Sequence, residues 1–145
     1  MSEHVEKGDR GTLHVFLSYA VADKEYAHKL HKLLSQQPNL HIFTTEALSA
    51  GEDWTSKLKD ELSKCDVFVV LLSPNAIESS WVLSELGAAW ALDKLIIPVV
   101  TELKVSSKIP VQLKGTHFVE IEHLEKHPEA INQALMRYKK TGVVA

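Results

Sequence analysis

The chain has 145 residues, one cysteine, and 16 Lys and Arg against 19 Asp and Glu, a formal net charge of -3. That length suits one domain with its own core, the lone Cys65 excludes an internal disulfide and any multi-cysteine zinc site, and an acidic balance without a basic run argues against nucleic acid as a partner. No apolar run approaches the ~20 residues of a membrane span, so no membrane partner is expected and the chain reads as cytoplasmic.

Residues 1–12 form a polar leader with no signal-peptide core, residues 13–141 the domain, and residues 142–145 a tail. The apolar run LHVFLSY, residues 13–19, reads as a first strand. A helix follows from Asp23 to Gln36, with Asp23 as N-cap and Tyr26, Ala27, Leu30, Leu33 and Leu34 at helical spacing. Gln37-Pro38-Asn39 stops it before a second strand at residues 40–44. The stretch Glu46 to Asp53, EALSAGED, is loop by composition, and Gly51 lets it turn sharply. A helix begins near Trp54, with Leu58, Leu62 and Cys65 continuing its stripe. VFVVLL, residues 67–72, is the continuous run of a central strand buried on both faces.

Ser73-Pro74-Asn75 ends that strand, and the helix that follows carries Glu85 as the only charge between Trp81 and Leu92. A fourth strand spans residues 95–100, where Pro98 costs a ladder bond. A short helix is expected around residues 111–113, a fifth strand at residues 118–121, and a last helix from Pro128 with Ile131, Leu135 and Tyr138 on one face. Of the eight histidines, His28/His31 and His123/His127 have helical spacing, but neither pair meets a matching second set of ligands, so no metal is expected.

Strand and helix alternate about five times, which predicts an α/β fold: a flavodoxin-like five-stranded parallel sheet, order 2-1-3-4-5, with helices on both faces. Ligands of such sheets bind beyond the carboxyl ends of the strands where the order reverses. That crevice would be walled by residues 18–22, 73–75 and 46–53, with the Glu85 helix starting beside it. A carboxylate on so apolar a helix must be paired, protonated or facing a cleft. Trp81 lies one turn away on the same stripe and is read either as its partner in a site or as core.

Six glycines, none in GxGxxG or GxxxxGK[ST] spacing, leave the crevice without a standard phosphate loop. The third strand ends in Leu72-Ser73-Pro74, not in the acid a phosphoacceptor needs, and no nucleophile elbow is present.

The strand ending in Phe16-Leu17-Ser18-Tyr19 resembles the first box of Toll/interleukin-1 receptor (TIR) domains. Glu46-Ala47-Leu48-Ser49-Ala50-Gly51 followed by Trp54, then Ser73-Pro74, are similar to the loop after their second strand and to the close of their third. Trp81-Val82-Leu83-Ser84-Glu85 resembles the W-x-x-x-E of TIR domains that cleave NAD. The resemblance spans roughly residues 13–100. It implies an NAD+ glycohydrolase or cyclase, with NAD+ as substrate and no cofactor, that releases nicotinamide and forms ADP-ribose or a cyclic ADP-ribose in immune or cell-death signalling. Glu85 would be catalytic; Tyr19, Ala20, Leu48, Gly51, Trp54 and Trp81 would bind substrate.

The resemblance also implies self-association through the loop Glu46 to Asp53 and a fused or associated sensor region. Two other readings stand beside it: a non-catalytic TIR scaffold, and a nucleoside-cleaving transferase of related fold. Thr44-Thr45 and Ala20-Val21-Ala22 stand where many relatives carry an acid and some carry arginines. Lys24 and helix N-terminal N–H groups are left as phosphate ligands.

Overall fold

In the computed structural model, residues 11–45 and 54–141 are described. Five parallel strands form one sheet: β1 (Leu13–Ser18), β2 (Leu40–Phe43), β3 (Val67–Leu72), β4 (Leu95–Val100) and β5 (Val119–Glu120), in the order β2-β1-β3-β4-β5. The helices are α1 (Lys24–Ser35), α2 (Trp54–Lys64), α3 (Ser80–Ala91), α4 (Ile121–Lys126) and α5 (Glu129–Thr141).

The apolar run of β3 behaves as its composition requires. All six residues are buried, and the strand pairs with β1 on one side and along its full length with β4 on the other. Alternate side chains go to opposite faces. Leu13, Val15, Leu17, Val67, Val69 and Leu71 face α1, α4 and α5, represented by Leu30, Leu124 and Ile131. Phe16, Phe68, Val70 and Leu72 face α2 and α3, represented by Leu62, Val82, Leu86 and Ala89. Phe16 and Phe68 stack with ring centroids 5.4 Å apart and anchor that second layer. Cys65 packs there too, and burial pushes its thiol up to about 11, far from a reactive thiolate.

The structure shortens several expected elements. The first helix starts as a 3-10 turn at Val21–Asp23 and turns α-helical at Lys24. Residues 111–113 form a 3-10 turn. The fifth strand holds only two residues, and Ile121 instead opens α4, a helix the sequence pattern did not suggest. β5 meets β4 only at Val99 and Val100, beyond Pro98, whose missing N–H cannot extend a ladder. Ile121 and Leu124 are then free to bury a single helical turn under the sheet. Among the described residues no helix is long and apolar enough to cross a membrane.

Candidate active site

β1 hydrogen-bonds to β2 on one side and to β3 on the other, so the crossovers diverge at its carboxyl end and leave a crevice there. α3 brings Glu85 to it. Ser79 caps that helix by accepting from the Val82 N–H at 3.2 Å. Val82, Glu85, Leu86 and Ala89 then form the stripe laid on the sheet. Glu85 therefore stands at a core position and is 4% exposed.

The carboxylate is only half satisfied. The Ser18 hydroxyl, at the end of β1, donates to Oε1 at 2.5 Å. Oε2 is buried with no hydrogen-bond partner among the described residues. Burial drives the Glu85 pKa up to about 7, against weaker downward pulls from the Ser18 hydroxyl and then the Trp81 indole N–H, which does not complete a bond to Oε2. An acid in this state exchanges a proton near neutrality and keeps one oxygen for another donor.

Beside it, α2 and α3 enclose a cleft of about 340 Å³, lined by Leu58, Lys59 and Leu62 from one helix and by Trp81, Ser84, Glu85 and Ala88 from the other. Trp81 is 42% exposed and forms a wall of the cleft, not part of the core. Trp81 and Glu85, four residues apart, are thus brought together.

Asp23, expected as a helix cap, makes no side-chain capping bond. It is buried, and accepts hydrogen bonds from the Ser73 hydroxyl and, at 3.2 Å, from Asn75 Nδ2. Ser73 Oγ in turn accepts from the Ala76 N–H at 2.9 Å. This cluster ties the exit of β1 to the exit of β3. Its sequence signal is an acid in the first crossover together with Ser-Pro-Asn closing the central strand.

The remaining expected site residues are dispersed. Ala20 is buried in the layer of α2 and α3. Tyr19, the intervening residue, is buried in the opposite layer. It borders a separate groove of about 480 Å³ with His28, His31, Lys32 and Thr44. Trp54 opens α2, but its side chain lies outside the described residues, as do Leu48, Gly51 and the whole loop Glu46 to Asp53. Lys24 is exposed at the start of α1 and does not line the cleft. Among the described residues no three His, Cys, Asp or Glu side chains gather as metal donors.

A family model described as TIR domain matches residues 15–136. Among solved structures, the TIR domain of the Toll-related receptor TRR-2 from Hydra magnipapillata is similar at a TM-score of 0.69 and 15% identity, over 86% of this chain and 97% of that one. The TIR domains of the activated Roq1 resistosome, which recognises the pathogen effector XopQ, give 0.55 and 19% identity over 89% and 80%. The CMP N-glycosidase BcmB of Clostridium botulinum gives 0.59 and 16% identity over 83% and 98%. At these identities the structural likeness speaks for the fold. A sequence comparison with curated proteins finds no match.

Proposed function

The chain belongs to the TIR-domain family, and from that premise we propose that it is an NAD+ glycohydrolase or cyclase, with Glu85 as the catalytic carboxylate. The observation that carries this reading is the half-satisfied acid: Glu85 is buried at the switch-point crevice, bonded through one oxygen to Ser18, with the other oxygen bare beside a cleft. A scaffold has no use for a carboxylate held at about 7.

The chemistry fits one acid. Breaking the bond between ribose C1′ and the pyridinium nitrogen returns its electron pair to that nitrogen. Nicotinamide leaves neutral and needs no general acid. What remains is oxocarbenium-like positive charge on the ribose, which a preorganised carboxylate stabilises as it accepts hydrogen bonds from the ribose hydroxyls. Water, or a nitrogen of the adenine, then adds at C1′ and releases a proton. Trp81 supplies a flat wall for the nicotinamide or ribose. The name of BcmB, an N-glycosidase, shows that this fold has hosted scission of a related bond in another protein.

A second reading, a TIR scaffold that signals by self-association, is favoured by the outer side of α3, where Trp90 is 56% exposed and Leu92 just beyond it 49%. Concentrated protein incubated with NAD+, and the products resolved by chromatography, tests both. Release of nicotinamide with ADP-ribose or its cyclic form is expected, with specific activity rising with protein concentration where a second copy completes the site. Assembly with no NAD+ consumption at any concentration leaves the scaffold. Cleavage of free nucleosides with NAD+ untouched points to a nucleoside-cleaving transferase.

A further inference from the structure

The cleft beside Glu85 has one feature that its apolar walls do not explain. α2 carries Lys57, Lys59, Asp60, Glu61 and Lys64. Lys57 pairs with Glu61 at 3.5 Å, and Lys64 with Asp60 and Glu61 at 3.4 Å each. Those pairs absorb both acids of the helix. Lys59 has no ion-pair partner among the described residues, and it is the lysine that lines the cleft. The other lining groups of α2 are leucines, and α3 adds Trp81, Ala88 and the polar Ser84 and Glu85.

The cleft therefore has one cationic residue on the α2 side, the exposed Lys59, and one acidic residue on the α3 side, Glu85. A neutral apolar ligand would waste both charges. A ligand with a cationic ring at one end and an anionic phosphate at the other matches both signs. Pockets for small ligands run from about 300 Å³ upward. The cleft's volume of about 340 Å³ is therefore small, suited to one half of a dinucleotide with the other half outside. Tyr19 is followed by Ala20, Val21 and Ala22, none of them basic, and Lys24 does not line this cleft.

From the position of Lys59 we infer that it is the phosphate-binding residue of this site, taking the 5′-phosphate of the nicotinamide ribose while Glu85 meets the ribose hydroxyls. The inference rests on the proposed NAD+ reading and assigns the anionic subsite that reading requires. Lysine suits the task as a strongly hydrated point charge on a flexible stem, able to follow a phosphate without bidentate geometry. Lys59 binds and positions substrate. It takes no part in bond breaking.

The test compares nicotinamide mononucleotide with nicotinamide riboside, which differ by that phosphate, in calorimetric titrations of Glu85→Gln protein, where no turnover intervenes. The mononucleotide is expected to bind about tenfold more tightly than the riboside, in line with one charge-assisted hydrogen bond at a partly exposed site. Lys59→Ala in that background should erase the preference, Lys59→Arg should restore it, and added salt should weaken it. In otherwise wild-type protein, Lys59→Ala should raise KM for NAD+ about tenfold and leave kcat within about twofold, the pattern of lost uniform binding.

Equal affinity of the two ligands, or a phosphate preference that survives Lys59→Ala, overturns the inference while NAD+ cleavage by the wild type still stands. Wild-type protein that releases no nicotinamide overturns the proposed activity. In that event a Lys59-dependent preference for the mononucleotide still upholds the anionic subsite, and failure of both ligands to bind removes it.

Discussion

Two buried carboxylates stand at the same end of the sheet, Asp23 at 5% exposed and Glu85 at 4%, and they differ in what surrounds them. Asp23 receives a donor on each oxygen, the Ser73 hydroxyl on one and the Asn75 amide on the other. Glu85 receives the Ser18 hydroxyl on Oε1 and nothing on Oε2 among the described residues. A buried polar group with a full set of partners holds the fold together, whereas one left short of a partner costs stability and stays available to a ligand. Burial alone does not distinguish these two acids; the count of donors does.

The contrast is broken most severely at Glu85. Glu85→Gln keeps shape and burial but loses the negative charge, so nicotinamide release should fall about a thousandfold, in the range of other electrostatic deletions. A variant that keeps more than about a tenth of the wild-type rate, a barrier change of only ~1.4 kcal/mol, removes Glu85 from the mechanism. Asp23→Ala should act the other way. It leaves the Ser73 hydroxyl and the Asn75 amide without their acceptor, and should cost about 3 kcal/mol in a denaturant melt. The folded fraction should still turn over NAD+. A loss under ~1 kcal/mol would mean that water replaces the carboxylate at no penalty.

Sequence pattern made Glu85 conspicuous because a single charge on an otherwise apolar helix breaks the periodicity of its surroundings. Its partner was hidden. Ser18 lies 67 positions away, and only the adjacency of β1 and β3 brings α3 over it. Asp23 does occupy the N-cap of α1 that the sequence indicates, but two tertiary donors take its side chain in place of the local capping bond. The sheet was legible because β3 is buried throughout and β1 and β4 flank it with apolar runs. α4 was not, since one turn of helix offers too few repeats to show a period. Although α3 carries Glu85 as its only charge, Trp81, Trp90 and Leu92 are exposed, because α3 lays only one stripe on the sheet.

Glu85 should also make stability depend on pH. The folded chain holds the Glu85 proton up to about 7, while an unfolded glutamate releases it near 4.5. Folding therefore benefits in full below about pH 4.5, loses that benefit as pH rises to about 7, and has none left above. Glu85→Gln deletes the dependence. Relative to wild type it should gain on the order of 3 kcal/mol in denaturant melts between about pH 4.5 and pH 8, a figure set by the cost of ionising a buried acid. A difference between the two proteins that does not change over that interval would mean that Glu85 ionises as easily inside the fold as outside it.

The finest test is at Ser18, whose hydroxyl is the larger of two pulls, the other from Trp81, that make Glu85 more acidic than burial alone would leave it. For wild type, kcat/KM should rise with pH and level off above about 7, because in the proposed reaction the ionised carboxylate is the form that stabilises the ribosyl cation. Ser18→Ala takes away a donor that favours the ionised form, so the midpoint should move upward. The same variant removes the Ser18 donor from Oε1 and so widens the contrast with Asp23. At neutral pH its kcat/KM should fall about threefold, a shift of well under one kcal/mol in barrier, and at about pH 9 it should return close to the wild-type plateau. A profile that drops equally at every pH would show that Ser18 orients the carboxylate without affecting its charge; an unchanged profile would show that the hydroxyl and the reacting carboxylate do not meet in solution.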